Sequence, residues 1–331
     1  MFIFRTSNTD PKLNLAIEEF LTKNKVYKEP ILFLWQNKNT IVIGRNQNTV
    51  EEVNIVKAKE DKVTIIRRNT GGGAVFHDLG NLNFSIIYTD VKNNAVSMFE
   101  QMLEPIIKTL KDLGINAQFS GRNDIQVNGK KISGNAMWKW KDRFLQHGTI
   151  LVNSDLAKIA KYLTVDRSKI VSKNIESISS RVTNINNESD KEIDVQEFIN
   201  LIINTYQSLD SVKELVLSKS DYELIQKIKE EKYDTEEWTF NKHSTFTYKN
   251  KTRLEGKGLV EVLLDIQEGL IKNAKIYGDF LGFKGTLEFE QLLLNKKYSL
   301  EVLRECVESS DIENIFGNNF SSQDILDLLI Q

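Results

Sequence analysis

The chain has one cysteine, three prolines and three histidines among its 331 residues. A single cysteine cannot close an intrachain disulfide, so a disulfide scaffold is excluded. Three prolines leave no material for long proline-rich linkers. His77, His147 and His243 are scattered without ligand spacing, so a zinc centre is not expected. Charge of either sign is not in excess: 44 Lys plus Arg against 46 Asp plus Glu leave a net charge of −2. Bulk charge therefore does not hold the chain on nucleic acid. No apolar run approaches the roughly 20 residues that span a bilayer, so no membrane partner is expected. The opening MFIFRTSNTDPKLN lacks the basic, apolar, small-residue order of a signal peptide, and a cytoplasmic protein is expected.

What is present suits a soluble globular protein, with 40% hydrophobic and 27% charged residues. At roughly 150 residues per domain, the length allows about two domains. Thr9 or Asp10 is positioned to cap a helix with Pro11 in its first turn, and Leu13, Ala16, Ile17, Phe20 and Leu21 follow helical spacing. Ile31 to Trp35 and Thr40 to Gly44, separated by the polar turn Gln36–Asn39, read as a hairpin. Further strands are expected at Lys62 to Arg67, Asn81 to Tyr88 and Phe144 to Val152, and a helix over Ala95 to Leu113 with Pro105 as a possible kink. Asn128-Gly129 between two short apolar-alternating runs predicts a type I′ hairpin. From residue 154 the pattern turns helical (Asp155–Leu163, Val195–Leu209, Asp221–Lys232), and a boundary is expected near 240. Beyond it, Leu259–Ile266 and Ile271–Phe280 read as a hairpin turning at Gly269, with helices to the end.

The segment RRNTGGGAVFHDLGN, residues 67–81, is the most unusual in the chain. Three glycines after a strand let the backbone approach another group closely, and their N–H groups can form an anion-binding concavity. Arg67 and Arg68 add phosphate-pairing charge. The segment is neither a Walker loop nor a dinucleotide fingerprint, whose third glycine would fall at Phe76. A plain glycine-rich turn between two strands is the alternative, and the adjoining arginines and the apolar Ala74-Val75-Phe76 weigh against it. In the Asn128-Gly129 hairpin, Val127 opposes Lys130 and Gln126 opposes Lys131, which makes Asp124 a diagonal neighbour of Lys131. That pair is either a cross-strand ion pair or a substrate-contacting lysine beside a carboxylate that holds Mg²⁺. Met137-Trp138-Lys139-Trp140-Lys141-Asp142-Arg143-Phe144 interleaves aromatic and basic residues in the pattern of a nucleic-acid contact, but the net charge favours an exposed loop entering a strand, and the segment equally suits a protein partner. Cys306 falls in an amphipathic run, Leu300–Val307, as a packed thiol rather than a nucleophile, and no nucleophile-elbow motif supports a Ser/His/Asp triad.

Together these segments resemble the lipoate–protein ligase family, bacterial two-domain type. The matching stretches are Asn14-Leu15-Ala16-Ile17-Glu18-Glu19, Trp35-Gln36-Asn37, Ile43-Gly44-Arg45-Asn46-Gln47-Asn48, Arg67 through Asn81, Gly121-Arg122-Asn123-Asp124, Lys131-Ile132-Ser133-Gly134-Asn135-Ala136, His147-Gly148-Thr149 and Ser180-Arg181-Val182-Thr183-Asn184. They cover the chain to about 185, and the region after 240 resembles the family's accessory domain more weakly. The resemblance implies an α+β fold: a biotin/lipoate ligase-like catalytic domain (1–240) with mixed β-sheets flanked by helices, and a small α+β C-terminal accessory domain (241–331). It implies ATP-dependent activation of lipoate to lipoyl-adenylate with release of pyrophosphate. Transfer then goes to a lysine of lipoyl carrier domains, in 2-oxoacid dehydrogenase complexes or the glycine cleavage H protein.

Carried over residue by residue, Lys131 is the main catalytic stabiliser. Arg68, Gly73, Ala74, Val75, Phe76, Asn123 and Lys131 hold ATP, and Asp124 ligates Mg²⁺. Trp35, Gly72, His77, Lys131, Gly134, His147 and Thr149 line the lipoate slot. ATP and Mg²⁺ are expected as cosubstrates, with no tightly bound cofactor. An octanoyl or lipoyl transferase on the same fold would use a cysteine thioester, and Cys306 lies outside the catalytic half. A biotin ligase would carry a different arginine- and glycine-rich loop.

Overall fold

The computed structural model describes residues 1–89, 95–120, 123–163, 181–209, 211–240 and 246–330, with backbone alone for 95–99. Gly121, Arg122, Ser180 and His243, singled out above, lie outside the described residues. Contacts divide the chain into two compact units that no single cut in sequence separates. The first unit comprises 1–42, 51–66 and 75–235, and the second 43–50, 67–74 and 236–331. The second unit takes in 236–331 together with two loops from the N-terminal half. Their hydrogen bonds, described below, are the physical reason.

The first unit is built on an eight-stranded mixed sheet. Its strands are β1 (Phe2–Arg5), β2 (Ile31–Trp35), β6 (Asn81–Thr89), β7 (Gln118–Ser120), β8 (Asp124–Val127), β9 (Lys130–Trp140), β10 (Arg143–Leu151) and β11 (Lys213–Glu214), in the order β11-β1-β2-β6-β10-β9-β8-β7. All five residues of β2 are buried, as a strand covered on both faces requires. The hairpin expected of β2 with Thr40–Gly44 does not form. β2 pairs parallel with β1 and antiparallel with β6. The second run becomes β3 (Thr40–Ile43), which lies in a separate three-stranded sheet between β4 (Thr64–Arg67) and β5 (Val75–His77). A short polar link permits a hairpin, but a strand buried throughout belongs in the interior of a sheet, with a hydrogen-bonded neighbour along each edge. β5 itself arises from residues expected to lie in a loop.

Helix α1 (Pro11–Lys23) starts as its sequence dictates. The Asp10 side chain accepts from Lys12 N at 3.0 Å, and Pro11 fills the first turn. Its burial extends beyond one apolar face to Asn14, Glu18 and Glu19. Two polar segments also differ from expectation. Trp138–Phe144 is no exposed loop: β9 runs on to Trp140 and turns at Lys141 (φ 56°) into β10. Trp138 is buried, and the Lys23 ammonium lies 4.5 Å from the Trp140 ring centre, so the aromatic–basic pattern here is packing. The helix expected over Asp221–Lys232 is Lys219–Ile228, capped by Ser218, and is followed by a wider turn, Lys229–Tyr233.

In the second unit, β12 (Tyr248–Leu254), β13 (Gly258–Gln267) and β14 (Leu270–Gly278) form an antiparallel meander, of which the sequence showed only the second hairpin. β12 alternates between half-buried and exposed positions, an edge-strand pattern with a weak apolar signal. Val260, Val262, Leu264, Ile276, Phe280 and Phe316 are among the residues of its core, which also takes in Cys306.

Candidate active site

The sequence Asn128-Gly129 takes φ values of 51° and 76°, the signature of a type I′ turn, and joins β8 to β9. Val127 pairs with Lys130 and Gln126 with Lys131, as the turn dictates. The register then shifts: Ile125 pairs with Ser133 and Asp124 with Gly134, leaving Ile132 as the extra residue of a β-bulge. Across this bulge the Lys131 ammonium lies 2.7 Å from Asp124 Oδ1, with about a third of the lysine side chain and a quarter of the carboxylate exposed. The Lys131 backbone is held independently. Its N–H donates to Arg181 O at 2.8 Å, and its carbonyl accepts from Thr183 N at 3.0 Å. Asn123 lies beside the pair, but its side-chain amide donates to Asn135 O at 2.8 Å, so that donor is committed to the strand.

A buried polar chain runs through the same unit. Trp35 Nε1 donates to Ser85 Oγ at 2.9 Å, and Ser85 Oγ donates to Glu18 Oε1 at 2.6 Å. His147 Nδ1 lies 2.8 Å from the same oxygen, so Nδ1 carries the ring proton. Glu18 is fully buried. His77 takes the opposite tautomer: Asn37 Nδ2 donates to His77 Nδ1 at 3.2 Å, while Asn37 Oδ1 accepts from Asn14 at 3.1 Å. The Trp35 and His77 rings meet edge to face at 6.4 Å. Thr149 Oγ1 accepts from Gly134 N at 3.4 Å. Trp35, His77 and His147, singled out in the sequence, are thus oriented by Glu18, Ser85 and Asn37. Glu18 and Asn37 stand in the family-like stretches and Ser85 outside them, and the sequence assigns none of the three a role. Periodicity gave no signal for them: Glu18 lies off the apolar face of α1, and Asn37 falls in a segment read as a polar turn.

A third carboxylate of this region is structural. Burial would raise the Glu19 pKa, but Lys232 and Lys23 outweigh it and lower it from the usual 4.5 to about 2. Lys232 Nζ and Tyr233 OH reach Glu19 Oε2 at 2.8 and 2.7 Å, which fastens α1 to the 229–233 turn.

Arg68, Gly72, Gly73 and Ala74 fall in the second unit, while Val75 and Phe76 enter β5, where they pair with Val42 and Ile41. The Phe76 ring stacks on Tyr162 at 5.4 Å. The Arg68 guanidinium, 7% exposed, donates to the carbonyls of Gly71 at 2.6 Å and Gly73 at 2.8 Å and to Thr70 Oγ1 at 3.0 Å. It shapes the glycine loop from inside. Arg67 is 1% exposed and gathers carbonyls from two distant segments: Gly44, Arg45 and Gln47 on one side, Trp238 and Thr239 on the other, with Thr49 Oγ1 as a sixth acceptor. Burial lowers its pKa to about 10. Gly72 N donates to Phe280 O at 3.2 Å, and Gly278 N donates to Asn46 O at 2.7 Å. Gly71 cannot carry a side chain, because a Cβ there would stand 2.6 Å from Phe280 O.

The donor set near Lys131 suits Mg²⁺ of one kind only. Among the described residues no three acidic, histidine or cysteine side chains converge on a point. A lone carboxylate at Asp124 fits an ion that arrives with substrate phosphates and keeps waters, which is the usual habit of Mg²⁺.

The first unit thus holds a partly exposed lysine opposite a carboxylate and two buried histidines, one against Glu18 and one against Asn37. Residues 10–207 match the family description "Lipoyl protein ligase A/B catalytic domain", and residues 243–329 match "Bacterial lipoate protein ligase C-terminus". Lipoate–protein ligase 1 of Staphylococcus aureus is 39% identical over 317 residues, covering 96% of each chain. P. falciparum LipL1, solved in complex with lipoate, superposes with a TM-score of 0.78 at 28% identity over 98% of this chain and 97% of that one. A bipartite lipoate protein ligase from Thermoplasma acidophilum, solved with its E2 lipoyl domain, gives 0.66 at 29% identity over 75% and 98%. A lipoate-protein ligase A bound with ATP gives 0.62 at 28% identity over 72% and 97%. The chain belongs to the lipoate–protein ligase family. It is a ligase with the biotin/lipoate ligase-like fold.

Proposed function

We propose that this ligase joins lipoate to ATP and then to protein. A lipoate carboxylate oxygen attacks the α-phosphorus, the bond to the β-phosphate oxygen breaks, and pyrophosphate leaves lipoyl-adenylate behind. A carrier lysine, as the free amine, then attacks the lipoyl carbonyl and expels AMP, forming an amide. The observation that carries this reading is the Lys131 ammonium, half-exposed and 2.7 Å from Asp124. Bringing a carboxylate to a phosphate is a charge problem, so positioning and electrostatic stabilisation do most of the work. Lys131 neutralises charge at the α-phosphate and the lipoyl carbonyl, and Asp124 holds Mg²⁺ that enters with ATP. Arg68 and the backbone of residues 73–76 hold the nucleotide, with Asn123 steadying the Asp124 strand. Trp35, Gly72, His77, Gly134, His147 and Thr149 line the slot for the dithiolane and its alkyl arm.

Residues 1–240 are the catalytic domain and 241–331 an accessory domain. The accessory domain's part is to brace the glycine loop, through Phe280 on Gly72 and Gly278 on Asn46. The partners are lipoyl carrier domains of 2-oxoacid dehydrogenase complexes or the glycine cleavage H protein, and the setting is cytoplasmic. No described helix is long and apolar enough to cross a membrane. Lipoate-dependent ATP–pyrophosphate exchange tests the first half-reaction, and lipoylation of an isolated carrier domain tests the second. Exchange that proceeds equally without lipoate overturns the reading.

A further inference from the structure

We infer that Gly134 is a positioning residue for Lys131: its missing side chain is the seat on which the lysine tip rests. This rests on the role proposed for Lys131 above. Residues 131 and 134 of a regular strand face opposite sides of the sheet. Here the bulge at Ile132 changes the phase, so that Lys131 folds over the Cα of Gly134 and reaches Asp124, the residue paired with Gly134. A Cβ on Gly134 would stand 2.7 Å from Lys131 Nζ and 2.8 Å from Cε.

Among the described residues nothing else lies within 4 Å of that Cβ. Nor does the backbone require glycine, since Gly134 is not among the positive-φ residues. Neither turn geometry nor close backbone approach therefore explains the glycine, and the lysine tip does. The clamp of Arg181 O and Thr183 N on the Lys131 backbone leaves the side chain alone to absorb any added atom. A methyl group at 134 lifts the ammonium from its place while the strand stays intact.

The test is Gly134→Ala in the full-length chain, beside Lys131→Ala, by lipoate-dependent ATP–pyrophosphate exchange, lipoate binding and thermal melting. Misplacing a charge by about 1 Å costs on the order of 10²-fold. The expected result is a kcat reduced by about 10- to 100-fold, a loss larger than any change in lipoate affinity, with a melting temperature near wild type. If Gly134 is instead only a wall of the lipoate slot, lipoate affinity falls while kcat holds, and the inference is overturned. Loss of folding overturns it as well, because the added methyl would then be filling space the backbone needs. If Lys131→Ala keeps wild-type exchange, the role of Lys131 falls, and the positioning role falls with it. If Lys131→Ala is inactive and Gly134→Ala is normal, only the present inference falls.

Discussion

The glycine loop of one unit and the lysine hairpin of the other each present a cation, and they treat it in opposite ways. Arg67 is almost wholly desolvated, and among the described residues its guanidinium donates to five carbonyls and one hydroxyl and to no carboxylate. Lys131 keeps about a third of its side chain exposed and, among the described residues, faces one carboxylate, Asp124. A guanidinium with five donors in a fixed fork can saturate itself on main-chain oxygens from several segments, which makes it an organiser. An ammonium on a flexible stem with one partner keeps donors to spare, which makes it available to a substrate. The missing side chains differ likewise: a Cβ at Gly71 meets a backbone carbonyl, whereas one at Gly134 meets the end of a movable lysine.

The contrast breaks most visibly at Lys131. Lys131→Ala is expected to lower lipoate-dependent exchange by about 10²–10³-fold, the usual loss for one strong charge stabiliser, while the melting temperature stays within about 2 °C. An activity within about tenfold of wild type would remove it from that role.

Arg67→Ala should do the reverse first, by attacking stability. It orphans six acceptors that come from separate stretches of the second unit. A loss on the order of 3 kcal/mol is expected in urea titration, with Arg67→Lys recovering little of it because three donors cannot replace the fork. Full recovery by lysine would mean that charge alone matters there.

Glu19 sharpens the comparison from the other sign, since this buried anion does have charged partners. Its pKa falls from 4.5 to about 2 on folding. A depressed carboxylate contributes stability above the unfolded pKa and loses it as pH falls through the folded one. The contribution is therefore whole at neutral pH, erodes between about 4.5 and 2, and is worth roughly 3 kcal/mol at most. Glu19→Gln should remove that slope from an acid-unfolding profile. An unchanged slope would show that other carboxylates control it.

The smallest effect is expected at Cys306, buried in the second unit's core. Cys306→Ser should cost about 1 kcal/mol of stability, for a hydroxyl in an apolar setting, and leave lipoylation within about twofold. An acyl-enzyme adduct that disappears in the variant would instead mark a thioester transferase.

Much of the site was legible from local chemistry. Asn-Gly set the turn, the turn set the first two pairs of the β8–β9 ladder, and those pairs placed Asp124 near Lys131. Asp10-Pro11 set the start of α1. Nothing local revealed the bulge at Ile132, which depends on how β8 and β9 settle within the larger sheet and which decides what Lys131 rests on. Periodicity marked one apolar face of α1 but neither the burial of Glu18 nor its place as the hub between Trp35, Ser85 and His147, because those partners come from three separate strands.

The sequence by itself determined the turn at Asn128-Gly129, the capped first helix, the order of the family-like motifs and, with one cysteine, the lack of an intrachain disulfide, because each depends on neighbours a few residues apart or on composition. Only the tertiary structure decided that β2 leaves β3 for β6, and that residues 43–50 and 67–74 join 236–331 in one unit. Strand partners and the acceptors of a buried arginine are chosen among groups far apart in the chain, by whichever arrangement leaves the fewest polar groups unpaired and the most apolar surface covered.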